Sequence, residues 1–323
     1  MMLTLRQLRY LDALALEGHF GRAADRASVS QPALSVQIRE LEAALGVRLV
    51  ERTAGGARLT AIGEGVVTRA RRILAEVGDL ESFARRVPGE LAGPLRLGVI
   101  PSIAPYLLPK LLPQISRLYP RIQLSVRETM TAMLIDELAS GSLDLVVASL
   151  PLGHHAFREV PVFDDAFLLA TPRRGPFSLA VAAADEIPPE SLLLLEDGHC
   201  LRDQTLSVCG ALDARRLRSS GVTSLTTILQ LVAAGQGITL LPEIFLSSSP
   251  IDEHTIRLSR FADPEPCRHV GVAWRRSNPR GAEFEIFAAA LADCIGRPLQ
   301  ETDATHGEGF GDSGPAEFST DTP

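Results

Sequence analysis

Apolar positions recur at helical spacing over the first ninety or so residues. After Gly93-Pro94 they change to short apolar runs alternating with helical stripes. Leu5, Leu8, Leu11 and Leu14 predict a first amphipathic helix, residues 21–27 a short Ala-rich one, and Leu34, Ile38, Leu41 and Leu45 the apolar face of a third that stops at Gly46. Ser30 is a good N-cap for the third helix and Pro32 suits its first turn. A short helix, a tight turn and a second helix make a helix-turn-helix. Residues 49–52 and 57–60, flanking Gly55-Gly56, predict a hairpin wing. Val66, Ala70, Ile73, Val77, Leu80, Ala84 and Val87 then alternate in steps of four and three. Such a heptad seam favours pairing with a second copy over packing on the chain's own core. Val87-Pro88-Gly89 ends that helix.

Strands are expected at 95–100, 122–126 and 144–148. Between them lie a helix carrying Leu107, Leu108, Leu111, Leu112, Ile115 and Leu118 and another carrying Leu134, Ile135 and Leu138. The alternation predicts an α/β unit, a parallel sheet with helices on both faces. A strand at 167–171 leads into a second α/β unit with the leucine run 192–195, a helix at 225–234 and a strand at 238–241. Residues 269–274 return the chain to the first unit, and 284–294 form a last helix. Two such lobes enclose a cleft at the carboxyl ends of their strands. Ser102, just after the first strand, points at it as a ligand hydroxyl, a helix cap, or both.

The expected organisation is therefore a DNA-binding unit at 2–60, a dimerising linker helix at 61–90 and a two-lobed sensing unit at 91–299. Lobe I spans about 91–165 and 269–299, and lobe II about 166–268. The last stretch, 300–323, is rich in Gly, Ser, Thr and Asp, lacks Lys and Arg, and is expected to be a disordered acidic tail. It carries six of the chain's seven excess negative charges, so net charge says little about partners.

Composition, 46% hydrophobic and 22% charged, is ordinary for a globular protein. No apolar run approaches a membrane span and the N-terminus lacks a signal pattern. The cytoplasm is expected, with no membrane partner. Four cysteines are too few for a disulfide scaffold and lack a zinc-ligand spacing, so neither metal nor cofactor is expected. Cys267 and Cys294, without obvious donors nearby, read as structural.

Two regions carry chemistry. On the third helix Ser35, Gln37 and Arg39, with Gln31 at its start, suit a DNA groove, and Arg52 and Arg58 of the wing suit phosphates. A plain three-helix bundle with a solvated face would show the same spacing. In residues 192–209, LLLLEDGHCLRDQTLSVC, Cys200 stands beside His199 and Arg202, with Asp203 next and Cys209 nine residues on. Two cysteines so spaced are more often buried small hydrophobes than a redox couple. Against that, Gly198 breaks the chain before Cys200, and a thiol near a helix N-terminus and a guanidinium gains thiolate character. Were 200–209 helical, the two Cα atoms would stand about 13 Å apart, whereas a disulfide needs roughly 4.4–6.8 Å. Oxidation would then have to unwind the segment.

The run AADRASVSQPALSVQIRELEAALGVRLVERT, followed by LT and a glycine, resembles the winged helix-turn-helix of LysR-type transcriptional regulators. The remainder resembles that family's effector-binding domain, itself similar to type 2 periplasmic binding proteins. The resemblance implies that Ser30, Gln31, Pro32, Ser35 and Gln37 lie at the DNA-contacting helix, with Arg22 of the helix before it also expected at the DNA. The segment LEDGHCLRDQ with Cys209 resembles the redox segment of the family's hydrogen-peroxide sensors. That resemblance implies Cys200 as the peroxidatic and Cys209 as the resolving thiol of a reversible disulfide. Peroxide would be held by Ser102, Thr131, His199, Asp203 and Arg268, with Arg202 beside the thiol. Several family members have Thr at the place of Ser102, and Cys267 stands where a basic residue is expected.

By the same resemblance the protein would be a non-enzymatic activator of antioxidant genes in the oxidative stress response. It would act as a homodimer or homotetramer on a near-palindromic operator, with RNA polymerase as partner. Two other readings are a LysR-type regulator whose cleft binds a metabolite, and a thiol peroxidase or disulfide reductase. The absence of C-x-x-C weighs against the last.

Overall fold

A computed structural model describes residues 3–53, 55–84, 91–178, 184–210, 218–219, 221–248 and 251–296. The acidic tail and the stop signal Val87-Pro88-Gly89 lie outside them.

Thr4 caps α1 (Leu5–Glu17) in a reciprocal box with Gln7, each side chain meeting the other's backbone N–H at 3.3 and 3.0 Å. The helices α2 (Phe20–Arg26) and α3 (Gln31–Leu45) complete the bundle around Leu8, Leu11, Leu14, Leu34, Ile38 and Leu41. Leu5 and Leu45, expected on the apolar faces, are exposed because each lies in a terminal turn of its helix. Pro32 falls in the first turn of α3 and Gly46 caps its end with φ 71°, as expected. Ser30 occupies the N-cap position but its hydroxyl makes no cap bond. The wing is β1 (Val50–Thr53) paired antiparallel with β2 (Gly56–Leu59).

Next comes α4 (Ala61–Ala84). Val67 and Ala70 bury against the head, and Arg71 pairs with Asp12 at 2.6 Å. Of the heptad positions, Ile73 and Leu80 are exposed, Leu80 by 67%, as are Ile62 and Phe83. An isolated helix would have no reason to present such a stripe to water.

The C-terminal region is built on β3 (Gly93–Val99), flanked by β4 (Ile122–Glu128) and β5 (Leu145–Leu150), all parallel. The helices α5 (Ala104–Leu118) and α6 (Thr131–Ala139) make the crossovers. Beyond β5 the sheet is not parallel: β11 (Cys267–Arg275) runs antiparallel to β5 and to β6 (Phe157–Pro172). The expected strand at 167–171 is only the second half of the 16-residue β6. That half carries β9 (Thr239–Pro242) and β10 (Ile256–Ser259), while the first half pairs with β11, so β6 and β11 tie the lobes together. Register shifts at Gly271, opposite Pro161, where a Cβ would lie 2.3 Å from the Val160 carbonyl oxygen. Lobe II adds the two-residue β7 (Leu193–Leu194), paired parallel with β8 (Arg218–Ser219), and α7 (Cys200–Val208), α8 (Leu225–Ala233) and α9 (Glu243–Leu246). The last helix, α10 (Gly281–Ile295), packs back on lobe I. One apolar cluster, including Phe157, Phe167, Phe245, Phe284 and Phe287, runs through both lobes.

The linker helix is docked on this region. Asp79, buried, accepts from Arg275 Nη2 at 3.0 and 3.2 Å, and Ser277 Oγ donates to Glu76 at 2.9 Å. The other guanidinium arm of Arg275 donates to the carbonyls of Leu138 and Leu143. Among the described residues no helix is long and apolar enough to cross a membrane.

Candidate thiol site and nucleic-acid face

The four leucines 192–195 are buried, and the Leu193 N–H donates to the Ile238 carbonyl at 2.7 Å. Continuing as a strand would carry Glu196 and Asp197 inward. Instead the chain turns at Gly198, whose φ of +95° suits glycine and where a Cβ would meet Met130 Sδ at 2.9 Å. His199 takes the N-cap position of α7, and Cys200 is its first residue.

A cavity of about 10 Å³ lies here, lined by Ile100, Pro101, Ser102, Met130, Thr131, His199, Cys200 and Leu201. Its walls come from the starts of three helices: Ser102 precedes α5, Thr131 opens α6 and Cys200 opens α7. Helix N-termini present unpaired N–H groups and favour negative charge. Two buried polar atoms at the cavity, Thr131 Oγ1 and His199 Nε2, have no hydrogen-bond partner. Pro101, Ser102, Met130 and His199 also line a cleft of about 610 Å³ between the lobes, with Tyr106, Thr223, Ser224 and Thr226. Burial pushes the Tyr106 hydroxyl up to about 12, and a hydrogen bond to Thr226 partly opposes it.

Four of the sequence candidates, Ser102, Thr131, His199 and Cys200, thus share one cavity, and four, Arg202, Asp203, Cys209 and Arg268, do not. Arg268 lies behind Ser102, donating through Nη1 to its Oγ at 2.8 Å and through Nη2 to its carbonyl at 3.1 Å. Its Nε donates to Asp165 at 2.9 Å, and both side chains of that pair are 1% exposed. Arg268 therefore orients Ser102. Arg202 is turned away to Asp197 at 2.7 Å and the Leu195 carbonyl at 3.3 Å, holding the turn before α7. Asp203 is on the solvent side of α7, because side chains on successive helical positions point in different directions. Sequence reasoning missed Met130, which walls both cavities, and Gln204, whose Nε2 donates to Ser149 Oγ at 2.6 Å and tethers α7 to lobe I. Gln204 ends the quoted run LEDGHCLRDQ, so the signal was there.

Cys209 caps the far end of α7, 4% exposed, and burial pushes its thiol up to about 12. Nine residues of helical rise hold it about 13 Å from Cys200. Both are free thiols.

Cys267, expected to be structural and away from donors, is exposed beside Asp164 and His269. Its pKa is raised by partial burial and then by the Asp164 and Asp165 carboxylates. Cys294 is half-buried, and burial raises its pKa.

On the DNA-binding unit, Arg22, Ser30, Gln31, Pro32, Arg39, Arg52 and Arg58 are exposed, and Ser35 and Gln37 are half-buried. Four of them also make contacts within the protein. Arg52 donates to Ser35 Oγ at 2.8 Å with its guanidinium 4.8 Å above the Phe20 ring, Gln37 donates to Glu40 at 2.7 Å, and Arg22 pairs with Glu17 at 3.6 Å.

Residues 5–64 match the bacterial regulatory helix-turn-helix of the lysR family, and 88–294 match the LysR substrate binding domain. A probable hydrogen peroxide-inducible genes activator from Streptomyces viridosporus is 41% identical, over 90% of this chain and 94% of its own. A full-length OxyR variant from Pseudomonas aeruginosa superimposes with a TM-score of 0.74 at 38% identity, covering 90% of this chain and 98% of the other. A Corynebacterium glutamicum OxyR mutant with bound H2O2 has a TM-score of 0.61 at 34% identity, covering 92% and 94%.

Proposed function

We propose, from the premise that this chain belongs to the LysR family of bacterial transcription regulators, that it is a hydrogen-peroxide sensor of the OxyR type, switched by a reversible Cys200–Cys209 disulfide. The observation that carries this reading is the cavity where Cys200 meets the Ser102 hydroxyl and the unpartnered Thr131 Oγ1 and His199 Nε2. A molecule of two hydroxyl groups suits those partners. The Cys200 thiolate attacks one peroxide oxygen, the O–O bond breaks, and the leaving oxygen departs as hydroxide, which takes up a proton to become water. Negative charge developing on that oxygen faces the three helix N-termini. Cys209 then attacks the sulfenic sulfur and releases a second water. The net change is one peroxide and two thiols to one disulfide and two waters.

Because the sulfurs start at opposite ends of α7, closing the bond requires the helix to unwind. Unwinding withdraws Leu201 and Cys209 from the core and Gln204 from Ser149, and alters the contact between lobes. Residues 2–60 act as the DNA reader, 61–90 as the dimerising arm and 91–299 as the sensor. Gln31 and Arg39 face base edges, Arg58 faces phosphate, and the exposed stripe of α4 pairs with a second copy, giving a dimer or tetramer on a near-palindromic operator in the cytoplasm. RNA polymerase would be the target of activation.

A second reading has its own support: the inter-lobe cleft of about 610 Å³ is far larger than peroxide needs and is lined by hydroxyls, as a metabolite site would be. Operator footprinting of the wild type and of Cys200→Ser, with and without peroxide, separates the two. A peroxide-dependent footprint that disappears in Cys200→Ser, with a 200–209 disulfide found by peptide mapping, is the expected result. A Cys200→Ser protein that still responds to peroxide overturns it.

A further inference from the structure

We propose that Asp164, Cys267 and His269 form a surface site for a borderline-soft divalent cation such as zinc, bridging β6 and β11. The antiparallel register sets His269 directly opposite Asp164, and Cys267, opposite Ala166, two positions along β11. Side chains two apart on a strand share a face, so all three project to the same side of the sheet. All three are exposed, and one ligand atom from each lies within 4.8 Å of the others. Tetrahedral zinc with bonds of about 2.0–2.3 Å needs donors about 3.3–3.7 Å apart, a spacing that exposed side chains reach by small rotations. His269 Nδ1 and Asp164 Oδ1 already share a hydrogen bond at 2.6 Å, which the ion would replace.

The donor set selects the ion. A thiolate and an imidazole with a single carboxylate suit zinc, whereas magnesium and calcium prefer oxygen alone. Three protein ligands leave a fourth position for water. On the opposite face of the same strand pair, Arg268 and Asp165 form the buried couple that holds Ser102. An ion would thus clamp the two strands at the level of the thiol cavity and withdraw Cys267 from thiol chemistry. The site is independent of the peroxide reading, since it uses none of the cavity residues.

The test uses reduced full-length protein and cobalt(II) or zinc(II) as the only added metal. Wild type and Cys200→Ser are expected to bind one cobalt with a thiolate-to-cobalt charge-transfer band. Cys267→Ser should lose the band, and Asp164→Asn and His269→Ala should weaken binding at least about tenfold. Zinc should abolish the band and protect Cys267 from alkylation, read by peptide mass spectrometry. A band that survives Cys267→Ser, or equal alkylation of Cys267 with and without zinc, overturns the proposal.

Discussion

Helix α7 is expected to control the second step, disulfide closure, and not the first, attack on peroxide. Cys209, pushed up to about 12, is thiolate in only about one molecule in 10⁵ at pH 7 while buried. Once the helix opens its pKa returns toward about 8.5, and a few per cent is thiolate. Closure should therefore go through the opened helix, at a rate proportional to its population. Ser207 is exposed on α7, away from the cavity, so substitutions there act on the helix alone. Ala and Gly differ by about 1 kcal/mol in helix propensity, which changes the opened population about fivefold. Ser207→Gly should accelerate disulfide closure and Ser207→Ala slow it, with up to that fivefold between them. Sulfenic acid formation at Cys200, trapped with a dimedone probe, should be the same in both. Quenching with a thiol-alkylating reagent and counting blocked cysteines follows closure. The pH profile gives a second reading: closure should rise tenfold per unit below about pH 8.5 and then level off. A rise continuing toward pH 12 would mean attack from the buried state, and equal closure rates in the two variants would take helix opening out of the pathway.

Arg58→Ala should weaken binding to specific and unrelated DNA alike and reduce the salt slope by about 0.9; a loss confined to the operator would remove the wing from the phosphate contacts. Leu80→Glu, placing a charge in the exposed stripe of α4, should shift the protein toward monomer in sedimentation velocity and remove the concentration dependence of its thermal midpoint. Arg268→Ala leaves Asp165 buried without its ion partner and should cost about 3–5 kcal/mol in urea unfolding. A cost below about 1 kcal/mol would show that the pair is not buried as described.

Local patterns were the legible part of the chain. Leu8, Leu11, Leu14, Leu34, Ile38 and Leu41 are neighbours in sequence as well as in space, so the helical head can be read from spacing. The second half of β6 stood out because it is apolar on both faces. Its first half, FREVPVFDD, carries charges and a proline at the register shift and gives no such run. In the candidate site, Ser102, His199 and Cys200 are legible in the residues themselves and Thr131 only by resemblance, but spacing cannot show which way a helical side chain turns. Hence Asp203, expected at the peroxide, and Arg202, expected beside the thiol, form no wall of the cavity. Cys267 looked isolated because its neighbour Asp164 is about a hundred residues away and meets it only through strand pairing.

The tie between Asp79 and Arg275 bears on how this protein can be taken apart and recombined. A single strand, β11, carries Arg268 behind the cavity at one end and Arg275 against α4 at the other. Asp79 and Glu76, although on the arm that leads from the DNA reader, therefore belong physically to the sensor. A hybrid joined after α4 would leave Arg275 facing a foreign helix without a carboxylate. A hybrid joined near Thr60, ahead of α4, keeps those carboxylates but parts Arg71 from Asp12 and Val67 from the head. A joint inside α4, between Arg71 and Glu76, leaves each half of the arm with the unit it packs against.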